Sequence, residues 1–234
     1  MPQNNFILKS ISPVPSLKDI ALSTIKEAIL TEKLEQGVMY AEATFATELG
    51  ISRTPVREAL IHLASRGLII YYPRKGFQIK LLTEKDVRDL FELRLALELA
   101  VIRHITSKLT AESLAEIEGA WASYLKAVEM EEPDALMRAN RDFHLCLANL
   151  TENDYLINAL EQIRDLIDLA SFRSLEISSR SIEAVGEHER IIAELKLKSL
   201  SGALLQMEAH IRTTEERVLS AIQNSIPIDK QGVG

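Results

Sequence analysis

Residues 51–77, ISRTPVREALIHLASRGLIIYYPRKGF, leave little choice of local fold. Ser52 can cap a helix, Pro55 falls in its first turn where a missing N–H does no harm, and Gly67 stops it after Arg66. Two β-prone runs follow at once, separated by Pro73-Arg74-Lys75-Gly76, which predicts a hairpin. Upstream, residues 16–34 place Leu17, Ile20, Ala21, Ile25, Ile29 and Leu30 three and four apart, the pattern of an amphipathic helix ending near Gly37. Residues 41–50 make a second, short helix, and Gly50 gives the backbone freedom for a tight turn into the third.

Three helices with a tight turn between the last two, then a two-stranded ribbon, is the layout of a winged helix-turn-helix. Its basic groups are Arg53, Arg57, Arg66, Arg74 and Lys75 against the single acid Glu58, in a chain of net charge −7. Residues 1–80 hold 10 basic and 7 acidic groups, a balance of +3, whereas residues 81–234 hold 17 and 27, a balance of −10. Such polarisation points to one module for an anionic partner and another for something else, divided near residue 81. A recognition helix offers its N-terminal side chains to base edges in the major groove. Arg53, Thr54 and Arg57 stand there, and the two arginines, four apart, share a helical face suited to guanine or phosphate. Thr54 can donate to a phosphate. Arg74 and Lys75 in the ribbon turn can reach neighbouring phosphates or the minor groove, with Gly76 allowing close backbone approach.

The rest reads as helices. Thr83 and Asp86 form a capping-box pattern that opens a helix to about residue 108; Thr110 opens the next to about 130, Pro133 a third to 150, and Asn153 a fourth to about 176. Two more cover roughly 179–198 and 200–224. The predicted fold is mainly α: an N-terminal winged helix-turn-helix of three helices plus a β-hairpin, then an antiparallel six-helix bundle. The boundaries are a flexible leader at 1–15, a DNA-binding domain at 16–80, an all-α domain at 81–225, to which the family resemblance described below gives effector binding and dimerisation, and a tail at 226–234. No apolar run approaches the roughly 20 residues that span a bilayer, and the N-terminus lacks the apolar stretch of a secretion signal, so a cytoplasmic protein without a membrane partner is expected. Cys146, the single cysteine, excludes an intrachain disulfide and a thiolate cluster; its apolar neighbours suggest a buried packing thiol.

Five histidines remain. His62 and His104 read as structural. His144, His188 and His210 stand one to a helix, and a lone helical histidine is ordinarily packed or solvated, but imidazoles from three facing helices can converge on a metal ion. Asn140, one turn before His144, can add a neutral ligand, whereas Asp142 points to another side of the helix. No His-Glu-x-x-His or Ser-His-Asp pattern is present, and no catalytic residues are assigned: the chain is not expected to be an enzyme. Arg94 can either pair with Glu98 four residues on or serve as a cation for an anionic ligand; Arg164 and Arg173 are further candidates.

The stretch GISRTPVREALIHLASRGLIIYYPRKGFQI resembles the signature of the GntR superfamily of bacterial transcription regulators, in a match over roughly residues 16–80. It departs from the FadR regulators in helix two, where they often carry a DNA-contacting arginine after an Ala-Glu pair and this chain has Ala43. The six-helix region resembles the FCD ligand-sensing domain of the FadR subfamily, in its shorter, VanR-like branch. That domain's metal motif is matched in order by NRDFH, EH and MEAH, which assigns Asn140, His144, His188 and His210. The resemblance implies a divalent metal, zinc first, with nickel or manganese as alternatives. It also implies a small carboxylate effector beside the metal, with Arg94 matching an arginine often found on the first FCD helix, and a homodimer on a short palindromic DNA operator, with repression relieved by the effector. Asn140 stands where many members have Asp; an amide withholds one negative charge, which predicts weaker metal binding and a site more receptive to an anion. Two other readings are an architectural DNA-binding dimer without an effector and a metalloenzyme built on the three histidines.

Overall fold

The computed structural model describes residues 15–175 and 179–225, and their side chains apart from 172–182 and 225. The expected tail, all of the leader but residue 15, and the side chain of Arg173 lie outside the described residues. In chain order the elements are α1 (Leu17–Leu30), β1 (Met39–Tyr40), α2 (Glu42–Glu48), α3 (Arg53–Ser65), β2 (Ile69–Tyr72), β3 (Gly76–Ile79), α4 (Glu84–Ile105), α5 (Ala111–Met130), α6 (Pro133–Asn149), α7 (Asp154–Leu175), α8 (Ser179–Lys196) and α9 (Leu200–Ser225).

Helix α1 opens on a capping box between Ser16 and Asp19 and buries Ala21, Ile25, Ile29 and Leu30 against α3. It stops at Leu30, short of the expected Gly37, because Glu32 turns into the left-handed region at φ 51°. Helix α3 buries Val56, Ala59, Leu60 and Leu63; Ser52 precedes it in extended conformation but makes no side-chain cap bond, contrary to expectation. The expected ribbon is a three-stranded antiparallel sheet of order β1-β3-β2. Strand β1 has only two residues, too few to show alternation, and exists by pairing Met39 with Gln78 and Tyr40 with Phe77. Tyr40, Phe45 and Phe77 pack ring on ring, with centroids 5.1–6.0 Å apart.

The wing tip is a type II turn closed by the Lys75 amide donating to the Tyr72 carbonyl at 3.0 Å, with Pro73 in its second position and Arg74 at φ 65° in its third. Gly76 follows at φ 125°. A Cβ there would lie 3.0 Å from the Tyr40 carbonyl carbon and inside the radius of its oxygen. Glycine at this position is therefore demanded by the sheet itself.

Helices α4 to α9 form the second body, in which α4 packs on α9 and α7, α5 on α6, and α8 on α9. The Thr83–Asp86 capping box is present, and Asp86 also binds Lys80 at 2.8 Å. Cys146 is half-buried beside the core rather than enclosed. Helix α1 packs on α7 between the bodies, where Lys26 binds Asp165 at 3.3 Å, and the Leu166 side chain lies beside Gly67. Asp165 shares Arg141 of α6, at 2.6 Å, with Asp168, at 3.0 Å. No helix among the described residues is long and apolar enough to cross a membrane.

Candidate metal centre and nucleic-acid interface

A soluble bundle normally fills its core stripe with apolar side chains. Helix α4 breaks that rule at Arg94 and Glu98, which are 1% and 0% exposed among Val87, Phe91, Val101 and Ile102. Three imidazoles complete the buried polar group: His144 from α6, His188 from α8 and His210 from α9, each offering a nitrogen within 4.8 Å of the others. The convergence expected of these three is thus present in the structure.

Their orientations are set by carboxylates. His144 donates from Nδ1 to Glu98 at 3.1 Å, and His210 from Nδ1 to Glu187 at 2.8 Å. His210 then turns a bare Nε2 inward, to 3.2 Å from the Nε2 of His144, which accepts a hydrogen bond from Arg94 Nη2 at 3.1 Å. Two acceptors at that distance repel unless a cation lies against them, a place the Arg94 guanidinium takes at His144 and a metal ion could take between the rings. Nitrogens bound to one zinc at about 2.1 Å, at angles of about 90–110°, would be about 3.0–3.4 Å apart, so the spacing suits a metal. The carboxylate–histidine pairs are the usual outer support of such ligands. His188 sharpens the test: it is fully buried against Trp121, Tyr124 and Phe143, and neither ring nitrogen has a hydrogen-bond partner. A buried polar ring left unpaired calls for an ion or water.

Burial first, and then Arg94, pushes the His210 imidazole down to about 3. Burial likewise holds His144 and His188 well below the ordinary histidine range, aided by Arg94 at the first and His210 at the second. All three are neutral at pH 7, the form a metal requires. An unfolded chain would protonate them near pH 6.5, so it binds more protons than the fold does below that pH. The metal-free protein is therefore expected to lose stability steadily as pH falls from about 6.5 towards 4, measured as its melting temperature in chelator. A flat profile over that window would contradict neutral burial.

Beside the cluster lies a cavity of about 50 Å³, bounded on its polar side by Arg94, Asn140, Asp168, His210, Thr214 and Arg217. That is room for a few waters or a small carboxylate. Asn140 stands on this wall one turn from His144, while Asp142 is exposed. Arg94 fulfils both readings of it: Nε lies 3.4 Å from Glu98, Nη2 donates to His144 Nε2 at 3.1 Å, and the side chain borders the cavity. Arg164 is buried beside Asp168 at 3.5 Å and does not bound the cavity. His62 is exposed and His104 half-buried next to Lys108, both away from the cluster. Sequence reasoning quoted Glu187 in the EH pair without giving it a role, and missed Arg217, which binds Glu187 at 3.1 Å and Glu183 at 2.5 Å. It also saw Glu98 only as a partner for Arg94. The Glu187 carboxylate serves a histidine on another helix, a relation no local spacing reveals.

At the other end, Arg53, Arg57, Arg74, Lys75 and Gly76 line one cleft between the recognition helix and the wing, together with Ala43. Thr54 is exposed on the first turn of α3 but does not border the cleft. Arg53 is exposed, whereas Arg57 is engaged by Glu42 of α2, through Nε at 3.1 Å and Nη2 at 2.8 Å.

Residues 18–79 match the family described as bacterial regulatory proteins, gntR family, and residues 89–213 match the FCD domain. The chain is 30% identical over 187 residues, 80% of its length and 84% of the relative's, to an uncharacterized HTH-type transcriptional regulator, YdhC, of Bacillus subtilis (strain 168). It is 25% identical over 178 residues, 75% of its own length and 72% of the relative's, to the gluconate operon transcriptional repressor of Bacillus licheniformis. Among solved structures, E. coli McbR/YncC superposes with a TM-score of 0.77 at 22% identity, over 88% of this chain and 98% of that one, a likeness of fold.

Proposed function

Because the chain belongs to the GntR family of bacterial transcriptional regulators and carries an FCD domain, we propose that it is a repressor whose grip on a DNA operator is changed by a small carboxylate held beside a divalent metal. The family is one of regulators, not enzymes, and DNA binding follows from its helix-turn-helix. The observation that carries the finer reading is the convergence of three neutral imidazoles, with the Nε2 atoms of His144 and His210 at 3.2 Å beside the unpaired ring of His188, and His210 lining a cavity that Arg94 and Arg217 border. His144, His188 and His210 would hold the metal, with Asn140 at hand on the same wall. Zinc, nickel or manganese would supply a Lewis-acidic seat for one oxygen of the ligand. Arg94 would bind and orient the remaining carboxylate charge, and the apolar wall from Leu136, Met137 and Ile167 would exclude water from it. The relative named a gluconate operon repressor supports a sugar acid as the ligand and repression as the sense.

The working division is a DNA-binding module at 16–80 and an effector-binding, dimerising one at 81–225. A homodimer is supported by α4, which turns Leu93, 47% exposed, and Ala96 to solvent one turn apart with Leu97 and Ala100 half-covered beside them. Two-fold pairing would set two recognition helices on a palindrome.

The test is fluorescence anisotropy on a duplex that the protein itself selects from a random library, with and without zinc and with gluconate, lactate and dicarboxylates in turn. A metal-dependent shift in affinity by one class of acid is expected. Affinity unmoved by every acid and by chelator would instead favour an architectural DNA-binding protein. On the same duplex, Arg53→Ala is expected to weaken binding by about 1–3 kcal/mol, with discrimination lost at a single base position. Unchanged affinity would remove Arg53 from the reading face.

A further inference from the structure

An acid has no obvious place on a surface that must meet phosphates. Glu42 nevertheless lines the same cleft as Arg53, Arg57, Arg74 and Lys75. Its carboxylate takes three hydrogen bonds: two from Arg57, at 3.1 and 2.8 Å, and one from the Tyr71 hydroxyl, at 2.9 Å. The three residues come from α2, α3 and β2, so the bonds tie together the helix before the turn, the recognition helix and the wing. The Arg57 hydrogen bond, opposed by partial burial, holds the Glu42 carboxyl below its usual range, and the carboxylate is charged at neutral pH.

The geometry at Arg57 explains what the acid does. Nε–H and one Nη2–H, the side edge of the guanidinium, are spent on Glu42. The end edge, with both Nη1 hydrogens and the second on Nη2, makes no hydrogen bond among the described residues. An arginine held by its side edge presents the other edge at a fixed angle, and its side-chain entropy is lost before DNA arrives. A free arginine on the same helix is a swivelling cation that any phosphate can satisfy. The pair is bidentate, with Glu42 14% and Arg57 55% exposed, so it can help to hold the module together while the outer part of Arg57 stays accessible.

We propose that Glu42 and Tyr71 are positioning residues for operator recognition, which brace Arg57 so that its remaining edge reads a guanine instead of gripping phosphate at large. The inference rests on Arg53 and Arg57 facing DNA, as argued above. It assigns Glu42 the part of a specificity determinant that lowers overall affinity for DNA while raising discrimination. With Ala43 in place of a further cation on α2, the braced Arg57 becomes the main contribution of this corner of the module.

The experiment compares wild type, Glu42→Gln, Tyr71→Phe and Arg53→Ala on the selected duplex and on a scrambled duplex of the same composition, over a series of salt concentrations. For Glu42→Gln the scrambled duplex should bind more tightly, the salt slope should steepen by about 0.9 as Arg57 takes up one more phosphate, and the ratio of selected to scrambled affinity should fall about tenfold. Tyr71→Phe changes no charge and removes one of the three bonds, so the ratio should fall about two- to threefold with little change in slope. A ratio and slope unchanged in Glu42→Gln, while Arg53→Ala loses discrimination, would overturn the brace and leave the DNA face standing. If Arg53→Ala and Glu42→Gln both leave the ratio unchanged, the face itself is misassigned. Should Glu42→Gln melt below the assay temperature, Tyr71→Phe decides alone: an unaltered ratio there defeats the proposal.

Discussion

Replacing His188 by alanine is expected to strip the helical body of its divalent ion. The wild-type protein, purified without chelator or added metal, should carry about one ion per chain, and the variant none, with affinity lowered by more than the roughly 100-fold that loss of a supporting outer residue can cost. The reason lies in what the side chain does without metal. Its ring is fully buried and neither nitrogen has a partner, so packing is its sole use unless an ion binds. Deleting it leaves a cavity, which destabilises, but also removes an unsatisfied buried polar group, whose cost is about 1–3 kcal/mol. In chelator, variant and wild type should therefore melt within a few degrees of each other. With zinc present the wild type should gain far more than the variant, because an ion that binds only the fold stabilises it by mass action. Elemental analysis and paired melting curves read both effects. A variant that keeps stoichiometric metal would show that Asn140, His144 and His210 suffice, and that the His188 ring serves packing.

Gly76→Ala should abolish operator binding through the fold. Two costs coincide: φ 125° lies where L side chains are strained, and the new methyl would overlap the Tyr40 carbonyl, a backbone group that cannot swing aside. Relief requires breaking the Tyr40–Phe77 pairing, and with it the aromatic packing of Tyr40, Phe45 and Phe77. A loss above about 3 kcal/mol is expected, enough to melt the winged module first in a two-step transition. Metal content should stay at the wild-type level, since the histidines stand on α6, α8 and α9. Circular dichroism melting beside elemental analysis separates the two bodies. A single unshifted transition would mean that β1 yields easily.

The contrast between these positions shows what a linear sequence exposes. Pro55, Gly67 and the Pro-Arg-Lys-Gly turn act on their own neighbours, so the recognition helix and the wing could be read directly. Strand β1 could not, because two residues carry no period and its existence depends on a partner far along the chain. The glycine at 76 was legible as a turn residue, yet its stricter reason, the carbonyl across the sheet, appears only in three dimensions. The histidines fall between these cases. Each alone resembles an ordinary helical histidine; the family motif singled out the three, while their carboxylate supports, Glu98 and Glu187, come from other helices and are set by packing. Arg57 was legible as a cation in the right place, but its engagement by Glu42 was not, since the two lie on different helices across a turn.

The lateral contacts between the bodies limit how the regulator can move. The winged module is tied covalently through residues 80–83, and sideways by Lys26 on Asp165 with Leu166 against Gly67. Asp165 in turn shares Arg141 with Asp168 on the cavity wall. While the salt link holds, the pose of the recognition helix is coupled through α1 to α7, and through Asp165 and Arg141 to the cavity wall. In a two-fold pair of chains such a coupling would let a change at the cavity wall alter the spacing of the two reading heads, and with it their fit to the half-sites of a palindrome.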